Sequence, residues 1–419
     1  MKRSKRFLAL LLVLLLAVGV FAACQEAPVT PEPEPAEETP TPTEVPEPDE
    51  EPEAEDDEPF PGVIAVVTNT IDQNEEEFRS AEALVARFGA DKVIHRTWPV
   101  YFATEPEMMI TTLTEIASDL DVGAIVINQA VVNTNAAIDA VREIRGDDIF
   151  IAVVAAAEDP ADTYARVDLS LDINNPAIGA LFVDQAVAMG ADTIAHYSFP
   201  RHMAIPQLAT RRDNMAAAAE AAGLRFVELP SPDPMEEGGM AASQLFISQD
   251  VGRQVAELGE NTAFFSTNCG QQIPLLQQVL AYGAMYVQPC DPSPFHAFPA
   301  ALGLAANDGD AMDQFSIAEI IALTRDAIAE AGMTGRLSNW ALPASMANTT
   351  VGFMYAVEWL NGRVTHEIGQ VDEAVLLRLF GDYAEEMLGE RMYPDLSQLR
   401  IGDDVFSTMY VILMPYIVY

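Results

Sequence analysis

Several residues stand where a folded chain places its chemistry, just after short apolar runs. Thr68-Asn69-Thr70 and Asn128-Gln129 both do so. Their amides and hydroxyls donate and accept hydrogen bonds, which suits a neutral polyol or a nucleobase edge. The same residue types cap helix N-termini, so both roles stand open. Ser198-Phe-Pro-Arg201-His202 follows another run. Arg201 offers a planar fork for a carboxylate or phosphate, or for one of the chain's own acids. Asp172 and Asn175 either touch a ligand or cap the helix that follows. Trp98 and Tyr101 can stack on a sugar or base, or pack in the core or rim. Ser293, Phe295 and His296 lie in a Pro-rich stretch that either lines a cleft or makes a rigid turn.

The cysteines set further alternatives. Asn268-Cys269 and Cys290 each follow a strand, one strand–helix unit apart. Adjacent parallel strands run ~4.8 Å apart, within disulfide reach. Two free thiols are the other outcome, and Cys269 with His202 or His296 could also form a nucleophile–base pair. His196 and His202 lack the His-x-x-x-His spacing of a helical metal pair, so no metal site is expected. There is no GxxxxGK[ST], GxSxG or HExxH motif either. No cofactor is expected, and binding is favoured over catalysis.

Charge narrows the partners. The 419 residues hold 22 Lys+Arg and 64 Asp+Glu, a net of −42. Nucleic acid needs clustered cations to meet its phosphates, so it is excluded as a partner. The distribution is uneven. Lys2, Arg3, Lys5 and Arg6 open the chain, and residues 25–60 are Pro-rich and acidic with no basic residue. Such a segment cannot bury apolar surface and reads as an extended spacer. The basic start, the apolar run from Phe7 to Phe21 and Ala22-Ala23 read as a signal peptide. That run is too short to span a bilayer.

From residue 61 onward, apolar runs alternate with amphipathic stretches. Runs are expected as strands at 63–67, 92–97, 122–127, 149–154, 167–171, 193–197, 225–229, 262–266 and 285–288. Helices are expected between them, for example over 74–88, 135–145, 176–189 and 207–222. Continuous apolar strands separated by helices signal parallel sheets covered on both faces. The unit count exceeds one open sheet, which leaves two doubly wound lobes or a closed barrel. Residues 370–400 read as amphipathic helix, and 411–419 as a final buried strand.

Three patterns break the tie. They are Val167-Asp-Leu-Ser-Leu-Asp172-Ile-Asn-Asn175-Pro-Ala-Ile-Gly179, then Arg211 or Arg212 with Asn214-Met215 and Ala221-Ala-Gly-Leu224, then Ala263-Phe-Phe-Ser-Thr-Asn268-Cys269 with Pro274-Leu-Leu and Ala281-Tyr-Gly283. In this order they resemble the type I periplasmic-binding-protein superfamily. Tyr197-Ser-Phe-Pro-Arg-His202 and Pro289-Cys-Asp-Pro-Ser-Pro-Phe-His296 are similar to an uncharacterised bacterial lipoprotein family within it. Cys269 departs from the Asp that many relatives carry, so no carboxylate contact transfers there.

The resemblance implies an α/β fold of two Rossmann-like lobes joined by a hinge. The first lobe would be 61–175 with parts of 291–365, the second 176–290, and 366–419 an extension. Ala22-Ala23 before Cys24 resembles a lipoprotein box, although Phe21 departs from the usual Leu or Val. That resemblance implies a lipidated Cys24 and a membrane anchor outside the cell. The implied activity is capture of a small polar ligand by a monomeric receptor serving an ABC permease. A sensory co-receptor of the same fold is the alternative. Ligand contacts are expected from Thr68, Asn69, Trp98, Asn128, Gln129, Asp172, Ser198, Arg201, His202, Asn268, Cys269, Ser293 and His296.

Overall fold

The computed structural model describes residues 59–419 apart from Asp72, Glu237, Asn307, His366 and Ile368. The signal peptide, Cys24 and residues 25–58 of the acidic spacer lie outside the described residues; Phe60, read from sequence as the end of that spacer, is instead buried against Phe88 and Phe353.

Strand periodicity builds the first lobe. In β1 (Val63–Thr68), Ile64 and Val66 face one side and Ala65 and Val67 the other. Both sides are apolar, so both must be covered. Helices Glu75–Phe88 and Ala344–Leu360 cover one face, where Leu84 and Val351 join Ile64 and Val66. Helices Pro106–Ser118 and Thr134–Arg145 cover the other, where Leu113 and Ile138 meet Val67. Each Val, Leu or Ile so buried contributes about 1.5–3 kcal/mol. Strands β2 (Val93–Thr97), β3 (Val122–Asn128), β4 (Phe150–Val154) and β5 (Leu169–Ile173) continue the parallel sheet.

The second lobe repeats the plan with a smaller sheet. Its strands are β6 (Thr193–Ser198), β7 (Arg225–Pro230), β8 (Thr262–Ser266) and β9 (Met285–Tyr286), in the order β7-β6-β8-β9. This sheet does not end at 290. Tyr286 bridges to Leu337, and β10 (Ser338–Trp340) follows directly.

The C-terminal region differs from the expected helix and single strand. Helix Glu373–Leu388 is present, but Asp395–Ile401 forms β11. It pairs with β12 (Asp404–Leu413), which lies parallel beside β5. An exposed β5 edge would leave backbone groups unpaired, and β12 satisfies them. The first sheet therefore has seven strands, ordered β11-β12-β5-β4-β3-β1-β2. Residues 366–419 are thus partly integral to the first lobe rather than an addition to it. Met414-Pro415 then breaks the run, because proline cannot donate to a ladder. The last strand, β13 (Tyr416–Val418), pairs with β10.

The chain thus passes between lobes three times, at residues 173–175, 340–344 and 413–416. One close approach fixes the first passage. A Cβ on Gly179 would stand 2.2 Å from the Arg211 carbonyl oxygen. Only glycine lets helix Asn175–Met189 lie this close to helix Pro206–Ala222.

Candidate functional site

A cavity of about 590 Å³ opens between the lobes, lined by residues of both. It sits at the carboxyl ends of the parallel strands, where open α/β sheets bind ligands.

The first-lobe wall follows β1 and β3. Asn69 Nδ2 donates to Glu77 Oε2 at 3.2 Å and to Gln129 Oε1 at 3.3 Å. Its Oδ1 is buried without a partner. Asn74 caps helix Glu75–Phe88 and donates to Glu77 Oε1 at 2.7 Å. Burial, then the charge of Asp291, pushes the Glu77 carboxyl well above its ordinary value.

Thr68 and Trp98 stand behind this wall. Thr68 Oγ1 donates to the Asn69 carbonyl at 2.8 Å, and Trp98 Nε1 to the Gln129 carbonyl at 2.9 Å. Both are buried and position the wall rather than line it. Asn128 is buried too, with Nδ2 donating to Ser345 Oγ at 3.1 Å and to Thr349 Oγ1. It ties β3 to helix Ala344–Leu360. From that helix Asn348, with a buried Oδ1 that has no partner, lines the cavity.

The second-lobe wall is closed on itself. Arg201 forms a two-pronged bond with Asp233, both contacts 2.8 Å. That is the internal ion pair open to it from sequence. His202 Nδ1 pairs with Thr267 Oγ1 at 3.0 Å, and Thr267 Oγ1 with Ser198 Oγ at 2.9 Å. Burial, then Arg201, pushes the His202 imidazole down to about 4, so it is neutral near pH 7. Asn268 Oδ1 accepts from the Gly270 amide at 3.1 Å. Gln271 is buried and bonds Ser266, Ser231 and Ser243. Ser198 therefore lies behind the wall, whereas Arg201, His202, Asn268 and Cys269 line the cavity.

The floor lies at the first passage between lobes. Asn174, not Asp172 or Asn175, caps the helix that follows. Asn175 instead bridges two charges. Its Oδ1 accepts from Arg211 Nη1 at 2.9 Å, and its Nδ2 lies 3.5 Å from Asp172 Oδ2. Burial pushes Asp172 up to about 7, against the Ile173 amide, with Asp291 adding to the rise. Arg211 is only 2% exposed, and its Nε and Nη2 have no acceptor. Burial pulls this guanidinium down to about 10.

Cys269 and Cys290 meet beside the floor, sulfurs 3.0 Å apart and both thiols free. The contact with Cys290, then burial, pushes the Cys269 thiol up. For Cys290, burial opposes ionisation, but Cys269 and His296 lower it on balance. Two further candidates lie apart from the cavity lining. Ser293 is buried with Oγ accepting from the Phe295 amide at 3.1 Å. His296 Nδ1 contacts the Asp291 carbonyl at 3.0 Å. Both serve the rigid turn.

Sequence reasoning missed Glu77, Asn348, Gln207 and the open state of Arg211. Arg211 sits in the polar first half of its helix, beside Arg212, and no local pattern marks it as facing a cavity. Its signals were scarcity, as one of few cations in an acidic chain, and its place in the Arg211/Arg212 pattern, neither of which points to a cleft.

Two doubly wound lobes, three passages and a cleft at the strand ends define the type I periplasmic-binding-protein architecture. More specifically, the chain belongs to the family described as "Protein of unknown function (DUF3798)", whose model matches residues 63–338. It is 32% identical over 176 residues to an uncharacterized protein of Treponema pallidum (strain Nichols), covering 41% of this chain and 79% of that one. A solved structure described as a candidate transcriptional regulator from Clostridium difficile 630 has a TM-score of 0.69 at 20% identity, covering 86% of this chain and 99% of that chain. A periplasmic solute-binding protein of an ABC transporter from Actinobacillus succinogenes 130z, with bound D-allose, has a TM-score of 0.48 at 14% identity, covering 73% and 93%.

Proposed function

We propose that this protein is a solute-binding receptor, tethered outside the cell, that captures a small polar molecule by closing its lobes. The observation that carries this reading is the cavity between the lobes with apolar lips on both sides. Val132 on the first lobe is 42% exposed, and Met235 and Met240 on the second are 63% and 42% exposed. Closure around a ligand would remove these lips from water, favouring the closed state at about 25 cal/mol per Å² buried. The three passages between lobes are the segments that would flex.

No bond-making step is assigned. The only nucleophile named from sequence, Cys269, is held away from its thiolate, and His202 is engaged by Thr267. Delivery to an ABC permease, the lipid anchor at Cys24 and a monomeric state complete the reading. Among the described residues no helix is long and apolar enough to cross a membrane. A tether at the N-terminus is compatible with that. The net charge of −42 disfavours a role on nucleic acid.

Native mass spectrometry of the protein, purified without denaturation, tests this first. A retained small mass, lost on mild denaturation together with an increase in the scattering radius, is the expected result. A protein that stays empty and shows no compaction with sugars, nucleosides, amino acids or small carboxylates overturns it.

A further inference from the structure

We infer that the ligand is a small α-amino-acid-type zwitterion, its carboxylate held by Arg211 and its ammonium by Asp172. The inference rests on the receptor reading and assigns the ligand class of that same cleft.

The argument starts from unmet hydrogen bonds. A buried donor or acceptor without a partner costs about 1–3 kcal/mol, more when charged. Folded chains therefore avoid them unless something else binds there. Several such atoms belong to residues that line this cavity. Arg211 presents Nε and Nη2 as donors, while Asn69, Gln207 and Asn348 each hold a buried side-chain oxygen with no partner. Arg211 is the open guanidinium of the cleft, because Arg201 is already engaged by Asp233.

The two signs of charge stand side by side. Arg211 and Asp172 are separated by a single amide, that of Asn175, which contacts both. An α-amino acid carries its carboxylate and ammonium on one carbon, and so needs its two counter-charges at this kind of spacing. Arg211 Nε and Nη2 form one edge of a planar fork, which fits a carboxylate through two parallel bonds.

The surroundings weigh against other ligands. Asp172, Asp291 and Glu77 line this cavity beside a single open guanidinium, too few cations for a doubly charged phosphate. A hexose would satisfy the neutral oxygens. It would leave the Nε–Nη2 edge of Arg211 without a carboxylate.

Calorimetric titration of the intact protein tests the assignment directly. The probes are the standard L-α-amino acids, the matching carboxylic acids without the ammonium, the matching amines without the carboxylate, and neutral hexoses. At least one amino acid is expected to bind, with both truncated analogues about 100-fold weaker. Arg211→Met is expected to weaken that amino acid by about 100-fold or more. Arg212→Met, on the same helix but outside the cavity lining, should change it by no more than about threefold. The ligand-side comparison needs no variant, so a misfolded Arg211→Met leaves the test intact.

Binding of a hexose with compaction, and of no amino acid, overturns the zwitterion assignment while sparing the receptor. Equal affinity for the amino acid and its deaminated analogue overturns the role of Asp172. Silence of every amino acid at millimolar concentration overturns the assignment as a whole. Failure of compaction with every class is what removes the receptor reading itself.

Discussion

The two sides of the cleft are built on opposite rules. On the second-lobe wall, side chains answer one another: Arg201 with Asp233, His202 with Thr267 and Ser198, Gln271 with three serines. At the floor and along the first lobe, Arg211, Asn69 and Asn348 are buried with open hydrogen-bonding atoms. The first arrangement holds a surface rigid before a ligand arrives. The second leaves favourable contacts to be made only when it does. The wall is therefore expected to set orientation and stability, and the floor to set recognition.

Acid and base separate the two most widely. His202 titrates at about 4 in the folded wall, against about 6.5 unfolded. Its contribution is fully present above pH 6.5 and is lost as pH falls toward 4. Asp172 on the floor runs the other way, with a folded value of about 7 against about 3.9 unfolded. Its favourable contribution is present below pH 4 and is lost as pH rises through 7. Burial sets the size of the effect, with Asp291 adding to it and the Ile173 amide, Arg211 and Asn175 opposing it. Urea unfolding of the empty protein should show both arms, each on the order of a few kcal/mol. Asp172→Asn should reduce only the alkaline arm, leaving the share of Glu77 and Asp291, and His202→Gln only the acidic arm, leaving the share of His196. A profile unchanged by either variant would dissolve the contrast.

The thiol pair lies where wall meets floor. Exchange with a small-molecule disulfide would join Cys269 and Cys290, each losing a proton, while the two electrons reduce the reagent. The crosslink is expected to raise stability by about 2–3 kcal/mol, less any strain. Protein treated in this way should lose two hydrogens by mass and two alkylatable thiols. Retention of both thiols in excess reagent would show that the pair is shielded from the cleft.

A smaller effect tests how the floor is held. Gly179→Ala would drive a Cβ to 2.2 Å from the Arg211 carbonyl, which belongs to backbone and cannot rotate away. A stability loss of about 2 kcal/mol is expected in urea, together with loss of any retained ligand. Unchanged stability would mean that the two helices slide apart freely.

Much of the frame was legible in the sequence because it rests on local pattern. β-Branched runs such as Val63–Val67 form strands whatever surrounds them, and Asp172 was placed at a strand end by the same logic. Pairing between distant segments was not legible. Nothing local announces that β12 will lie against β5, or that Met414-Pro415 will divide one apolar run between two sheets. The wall residues Arg201 and His202 were visible because they follow a strand directly. Arg211 lay hidden on a helix, where only tertiary packing places it at the cleft floor. Asn128 and Trp98 had the right chemistry at the right strand ends, yet burial turned them into supports.

The finest separation of wall from floor compares two arginines by the sign of one substitution. Arg201→Met removes a half-exposed guanidinium and leaves Asp233 buried without its partner. That should cost about 1 kcal/mol. Arg211→Met replaces a buried charge with an apolar chain that can pack against Phe182 and Phe265, the rings beside the guanidinium. Replacing an incompletely paired buried charge in this way is neutral or stabilising by about 1 kcal/mol. In the empty protein, then, the first variant should melt lower and the second no lower than the wild type. Ligand binding should follow the opposite order, better kept in the first and lost in the second. A residue whose removal improves the fold and abolishes binding is one kept for the ligand. If both variants destabilise alike, Arg211 is a structural arginine and the floor has no special standing.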